Sequence, residues 1–75
     1  MDWKDRITID PNVQGGSPVI RGTRTPVTCV LGELAGGMSF AEIQREYDLT
    51  GEDIRAAILF AQESVGQKQR RAIPA

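Results

Sequence analysis

The sequence predicts a mainly α fold, a three-helix helix-turn-helix domain with a small N-terminal β element. Three observations lead there. Apolar residues recur at helical spacing in three segments after residue 25. A helix-start signal precedes each of those segments. Before residue 25 the apolar residues alternate instead, and prolines and glycines break the runs.

The N-terminal element comes first in the chain. Trp3, Ile7 and Ile9 alternate with Lys4, Arg6 and Thr8, the period of a strand with one buried face. Asp10-Pro11-Asn12 ends that strand as a turn, and Gly15-Gly16-Ser17-Pro18 is a second break. Pro18-Val19-Ile20-Arg21 reads as a short second strand, and Gly22 permits a tight turn after it.

The helices follow. Thr25-Pro26 is a start signal, with Thr25 as N-cap and Pro26 at the first helical position. Val27, Val30, Leu31 and Leu34 then form one apolar face, and Gly36-Gly37 stops the helix. Ser39-x-x-Glu42 is a capping-box pattern ahead of Phe40, Ile43 and Tyr47. Thr50-x-x-Asp53 opens the longest helix, with Ile54, Ala57, Ile58, Ala61 and Val65 along one face. Leu59 and Phe60 fall with Ala56 toward the other side, so this helix needs a cover on two sides. Either the N-terminal element supplies the second cover or another subunit does, and the second subunit is the favoured reading. The domain boundary is placed at 1–66, with 67–75 as a flexible basic tail.

Seventy-five residues make one domain. A chain this small usually needs a disulfide, a metal or a partner to reinforce it. One cysteine and no histidine exclude an internal disulfide and the usual zinc sites. The expected reinforcement is a second copy, a homodimer. No run of residues approaches a membrane span, the charged start does not lead into a secretory core, and a cytoplasmic location is expected.

Enzyme chemistry is not expected. A histidine base is absent, as is any cysteine–histidine pair. Glu52 and Asp53 fall in a helix first turn, where acids favour the dipole. Cys29 lies opposite the stripe of the first helix, and neither glycine pair has the spacing of a phosphate loop. No cofactor and no metal are expected.

The helix pair 39–47 and 51–65 has the order of a helix-turn-helix, whose second helix enters the DNA major groove. Charge opposes the simplest version. Residues 39–63 carry Arg45 and Arg55 against Glu42, Glu46, Asp48, Glu52, Asp53 and Glu63, while DNA binding depends on Lys and Arg. The candidate DNA contacts are Arg21 and Arg24 around Gly22, Arg55, and Lys68, Arg70 and Arg71 of the tail. For Arg21 and Arg24 the structural alternative is pairing with an acid or capping a carbonyl. Leu59 and Phe60, with Arg70 and Arg71, are the candidate partner or dimer face.

The stretch Gly16-Ser17-Pro18-Val19-Ile20-Arg21-Gly22-Thr23-Arg24-Thr25-Pro26-Val27 resembles the signature of the bacterial and archaeal family called domain of unknown function 433. The resemblance also takes in Ile7-Thr8-Ile9-Asp10-Pro11, Leu34-Ala35, Gly37-Met38-Ser39, Ile43, Tyr47, Leu49-Thr50 and Asp53-Ile54-Arg55-Ala56-Ala57. Thr25 replaces the usual aliphatic residue, and Asp48 stands where a proline often follows the tyrosine. The resemblance implies a small helix-turn-helix protein with an N-terminal β element. It also implies an antitoxin of the VapB type, which binds and silences a PIN-like nuclease and represses its own operon. PIN-type sites are carboxylate clusters that hold divalent metal, and Arg70 and Arg71 entering one would pair with those acids. The expected function is thus an antitoxin or transcriptional regulator that binds DNA, a PIN-like toxin, or both. The alternative is a protein-interaction module without DNA-binding activity.

Overall fold

A computed structural model describes the backbone of residues 2–72 and the side chains of residues 2–67. Two short strands, β1 (Ile7–Thr8) and β2 (Val19–Ile20), precede three helices, α1 (Val27–Ala35), α2 (Phe40–Tyr47) and α3 (Gly51–Ala72). The expected mainly helical architecture with a small N-terminal sheet is the one observed.

The N-terminal strand is shorter than the alternation suggests. Trp3–Asp5 form a 3-10 turn, because the Asp2 carboxylate accepts from the Lys4 N–H at 3.0 Å and the Arg6 N–H bonds the Trp3 carbonyl at 2.9 Å. Ile9 lies beyond the sheet and is 56% exposed. Asp10 then caps its own turn, accepting from the Asn12 N–H at 2.9 Å, an Asx turn in the place the sequence marked for one.

β1 and β2 pair antiparallel, Ile7 opposite Ile20 and Thr8 opposite Val19. On its other side β2 meets Thr25-Pro26: the Ile20 N–H bonds the Thr25 carbonyl at 2.9 Å, and the Val27 N–H bonds the Pro18 carbonyl at 2.9 Å. This pairing moves the start of α1. Thr25 is held extended and is not the N-cap; Pro26 takes that position with ψ 147°, and it gives no side-chain cap bond. Gly22 makes the turn that permits the arrangement. Its φ is +78°, and the Thr23 N–H closes onto the Ile20 carbonyl at 3.0 Å.

The signals for α2 and α3 are local and hold as written. Ser39 accepts from the Glu42 N–H at 3.1 Å, and Glu42 accepts from the Ser39 N–H at 3.0 Å. Thr50 and Asp53 repeat the same reciprocal bonds at 3.1 and 3.0 Å. Between the helices Asp48 is left-handed at φ +55°, a value proline's ring does not reach. The turn therefore takes a different path from one with proline at this position. It drives Leu49 into the core.

The core gathers Ile7, Ile20, Val27, Val30, Ile43, Leu49, Ile54, Ala56 and Ala57, with Trp3, Leu31, Leu34, Met38, Phe40, Tyr47 and Phe60 packed around it. Two expectations for α3 change here. Ile58 and Val65 were expected on the buried face with Ile54 and Ala57, yet they are 40% and 55% exposed. The cause is length. α1 and α2 have 9 and 8 residues against 22 in α3, or about 12–14 Å of helix beside about 33 Å. The short helices cover the first turns of α3 and run out. The helix also continues past Gly66 to Ala72, across the point where the sequence suggested a change to a tail.

Candidate functional site

The helix-turn-helix unit is the natural place for a site, and the charges at the start of α3 are already paired. Asp53, in the first turn of α3, accepts from Arg6 Nη1 at 3.1 Å while it caps the helix, and its side chain is 16% exposed. Arg6 also reaches Thr50 Oγ1 at 3.4 Å. Arg55 is turned back onto Glu52, Nη1 to Oε1 at 3.1 Å, in an exposed pair. The end of α3 that would meet a DNA groove thus presents one internal ion pair and one acidic residue holding the candidate base.

The other flank of α3 is covered by the chain itself. Trp3 stands edge-on to Phe60, with ring centroids 4.8 Å apart and planes at 86°. The N-terminal element, fastened by this pair and by Arg6–Asp53, therefore covers α3 at Phe60. Phe60 of the candidate partner face is half-buried under Trp3. Leu59 is half-buried and lines a shallow groove with Asp2, Trp3, Lys4, Gln62 and Glu63.

Arg21 and Arg24 have different neighbours. The Arg21 guanidinium donates to two backbone carbonyls, Asp5 at 3.1 Å from Nε and Lys4 at 2.9 Å from Nη2. This is the carbonyl-capping arrangement, and it ties β2 to the end of the 3-10 turn. The Arg24 side chain is exposed beside Asn12, Val13 and Gln14, and its carbonyl accepts from Gln14 Nε2 at 3.4 Å. Lys4 and Arg45 are exposed on separate elements. The side chains of Lys68, Arg70 and Arg71 lie outside the described residues; their backbone belongs to α3. Among the described residues no continuous basic face forms.

One polar cluster went unread in the sequence. The Tyr47 hydroxyl donates to Glu33 Oε2 at 3.0 Å. Its contacts with the Cys29 thiol and then with Glu33 hold the phenol above its usual range. Cys29 of α1 thus lies close to Tyr47 of α2. Nothing in the apolar spacing of α1 and α2 marks this pairing, because it depends on how the two helices cross. Among the described residues, no three histidine, cysteine or acidic side chains gather in a way that could hold a metal, and no helix is long and apolar enough to cross a membrane.

The comparisons with known proteins fit this architecture. The family model described as protein of unknown function, DUF433, matches residues 7–61, from β1 into the middle of α3. The uncharacterized protein y4eO of Sinorhizobium fredii (strain NBRC 101917 / NGR234) is 35% identical over 69 residues, which is 91% of this chain and 31% of that protein. The chain therefore spans about a third of that relative's length. The crystal structure of a DUF433 member from Anabaena variabilis ATCC 29413 superposes with a TM-score of 0.77 at 33% identity, over 91% of this chain and 68% of the other. The match runs through the Pro18–Val27 hairpin, both capping boxes and the core of α3, and on these grounds the chain belongs to the DUF433 family.

Proposed function

We propose that the chain is a protein-binding module of the antitoxin type, which silences a PIN-like nuclease through the basic end of α3. The observation that carries this reading is the length of α3, which continues to Ala72 well past the short helices beside it. Arg70 and Arg71 therefore fall on a helical arm that leads away from the core. Guanidinium groups on such an arm are suited to pair with a carboxylate cluster and compete with the metal it holds. The VapB-type antitoxin role that the resemblance to the DUF433 family implies would call for the same class of partner. The test is inhibition of a purified PIN-like nuclease, taken from beside the gene for this chain if one is encoded there. The parent chain is expected to inhibit, and Arg70→Ala/Arg71→Ala is expected to weaken inhibition tenfold or more. Equal inhibition by the two proteins would remove the arm from the mechanism.

DNA binding is the second reading, and the observation behind it is the α2–turn–α3 order. The arrangement of charge disfavours it. Arg6 and Arg55 are engaged with acids and Arg21 with carbonyls, while non-specific affinity for DNA comes mainly from free cations. A gel-shift titration against the upstream region of its own operon, at two salt concentrations, separates the readings. No shift at low salt is the expected result, and a specific, salt-sensitive shift would restore the regulator.

A further inference from the structure

The second half of α3 shows an apolar face that no other element covers among the described residues. Ile58 and Val65 are exposed and Leu59 is half-buried, with Gln62 and Gly66 between them. These positions recur at spacings of three and four, the seam of a helix pair. Gly66 lies on the seam, and an added Cβ there would meet nothing within 4 Å. Its bare backbone leaves room for another helix to approach closely.

Charge says which helix. At the start of α3, Asp48, Glu52 and Asp53 outnumber Arg55 and the Arg6 that pairs with Asp53, so a net negative charge remains there; the last turns carry Lys68, Arg70 and Arg71. Such a helix is electrostatically complementary to itself run backwards. A parallel pair would place basic end on basic end, whereas an antiparallel pair places the basic end of each on the acidic start of the other.

We propose that two copies associate through antiparallel α3 helices crossing near Gln62. A two-fold axis there sets Leu59 against Val65 and Ile58 against Gly66 of the second copy. The same axis brings the Glu52 turn opposite the Arg70–Arg71 turn. The stripe left open among the described residues is covered by its own symmetry mate, and the self-complementary contact closes as a dimer. One helix pair is a small interface, near or below the ~1,200 Å² at the low end of stable complexes, so the dimer dissociates on dilution. The inference does not rest on the antitoxin reading, since a second copy and a nuclease are measured separately.

The test is sedimentation of the full chain from about 1 µM to about 1 mM. The expected mass rises from monomer to dimer across that range. Added salt should shift the midpoint upward. Ile58→Glu and Val65→Glu should each weaken association at least tenfold while leaving the circular dichroism and melting temperature of the monomer unchanged, because both sites are exposed. Geometry is tested by Gln62→Cys in a Cys29→Ser background, which should form an intermolecular disulfide; Arg45→Cys in the same background should not. A chain that stays monomeric throughout overturns the proposal. So does a dimer indifferent to both glutamate substitutions, or one in which the control cross-links as fast.

Discussion

Replacing Asp53 with alanine removes two jobs held by one side chain, and their sizes are separable. The carboxylate caps α3 through the Thr50 N–H and accepts from Arg6 at the same time. Loss of a capping side chain costs about 1 kcal/mol. The ion pair adds ~0.5–1 kcal/mol, at the modest end because the Arg6 side chain is 38% exposed and screened by water. Asp53→Ala should thus destabilise by about 1.5–2 kcal/mol, and Arg6→Ala by the smaller amount. In a domain of this size the larger figure corresponds to roughly 10 °C in melting temperature. Urea titrations of the parent, the two single variants and the double variant give the coupling directly, with an expected value of ~0.5–1 kcal/mol. A coupling indistinguishable from zero, or a total loss from Asp53→Ala under about 0.5 kcal/mol, would refute the view that this contact fastens the N-terminal element to α3.

Three further outcomes are expected. Phe60→Ala should cost about 2 kcal/mol, from the lost aromatic pair and the packing around it, and should red-shift the emission of Trp3, the one tryptophan of the chain; an unchanged spectrum would mean Trp3 does not rest on that ring. Arg21→Ala should lower the melting temperature by several degrees through the two released carbonyls, each bond worth about 0.5–1.5 kcal/mol at most, with no change in any DNA titration. The Ser39 N–H, followed by the Ser39 hydroxyl, holds the Glu42 carboxyl below its ordinary value of 4.5. The folded pKa is therefore the lower one. The contribution of this box is complete above pH 4.5 and disappears as pH falls through the folded value. Glu42→Gln should flatten acid unfolding over that interval, as followed by circular dichroism.

How much of this was legible in the sequence depends on how far each cause reaches. The capping boxes at Ser39–Glu42 and Thr50–Asp53 are complete within four residues, and both could be read directly. The start of α1 could not, because the Thr25 carbonyl is taken by Ile20 across a hairpin, a partner that no local pattern names. Trp3 kept the rhythm of a strand but sits in a turn made by the Asp2 side chain. For α3 the periodicity correctly gave two apolar faces. It carries no information about how long the covering helices are, so Ile58 and Val65 were placed in the core. Arg21 was visible as a candidate charge, yet its partners, the carbonyls of Lys4 and Asp5, appear only when the 3-10 turn packs beside β2, and the Arg6–Asp53 pair only when the N-terminal element folds over α3.

The overhang of α3 also divides the molecule by cooperativity. Ile54, Ala56 and Ala57 are fully buried, so their amides should exchange with solvent only when the whole domain opens. From Ser64 to Gln67 the helix lies past the groove it forms with the N-terminal turn and contains Gly66, worth about 1 kcal/mol against helix relative to alanine. An isolated stretch of that length persists on propensity alone, which is marginal in water. Hydrogen exchange along one continuous helix should therefore show a step near Ser64, with global protection before it and local opening after it. In the dimer that step should move toward the C-terminus as concentration rises, so a single set of exchange rates would report both the boundary of the folding unit and the arrival of the second copy.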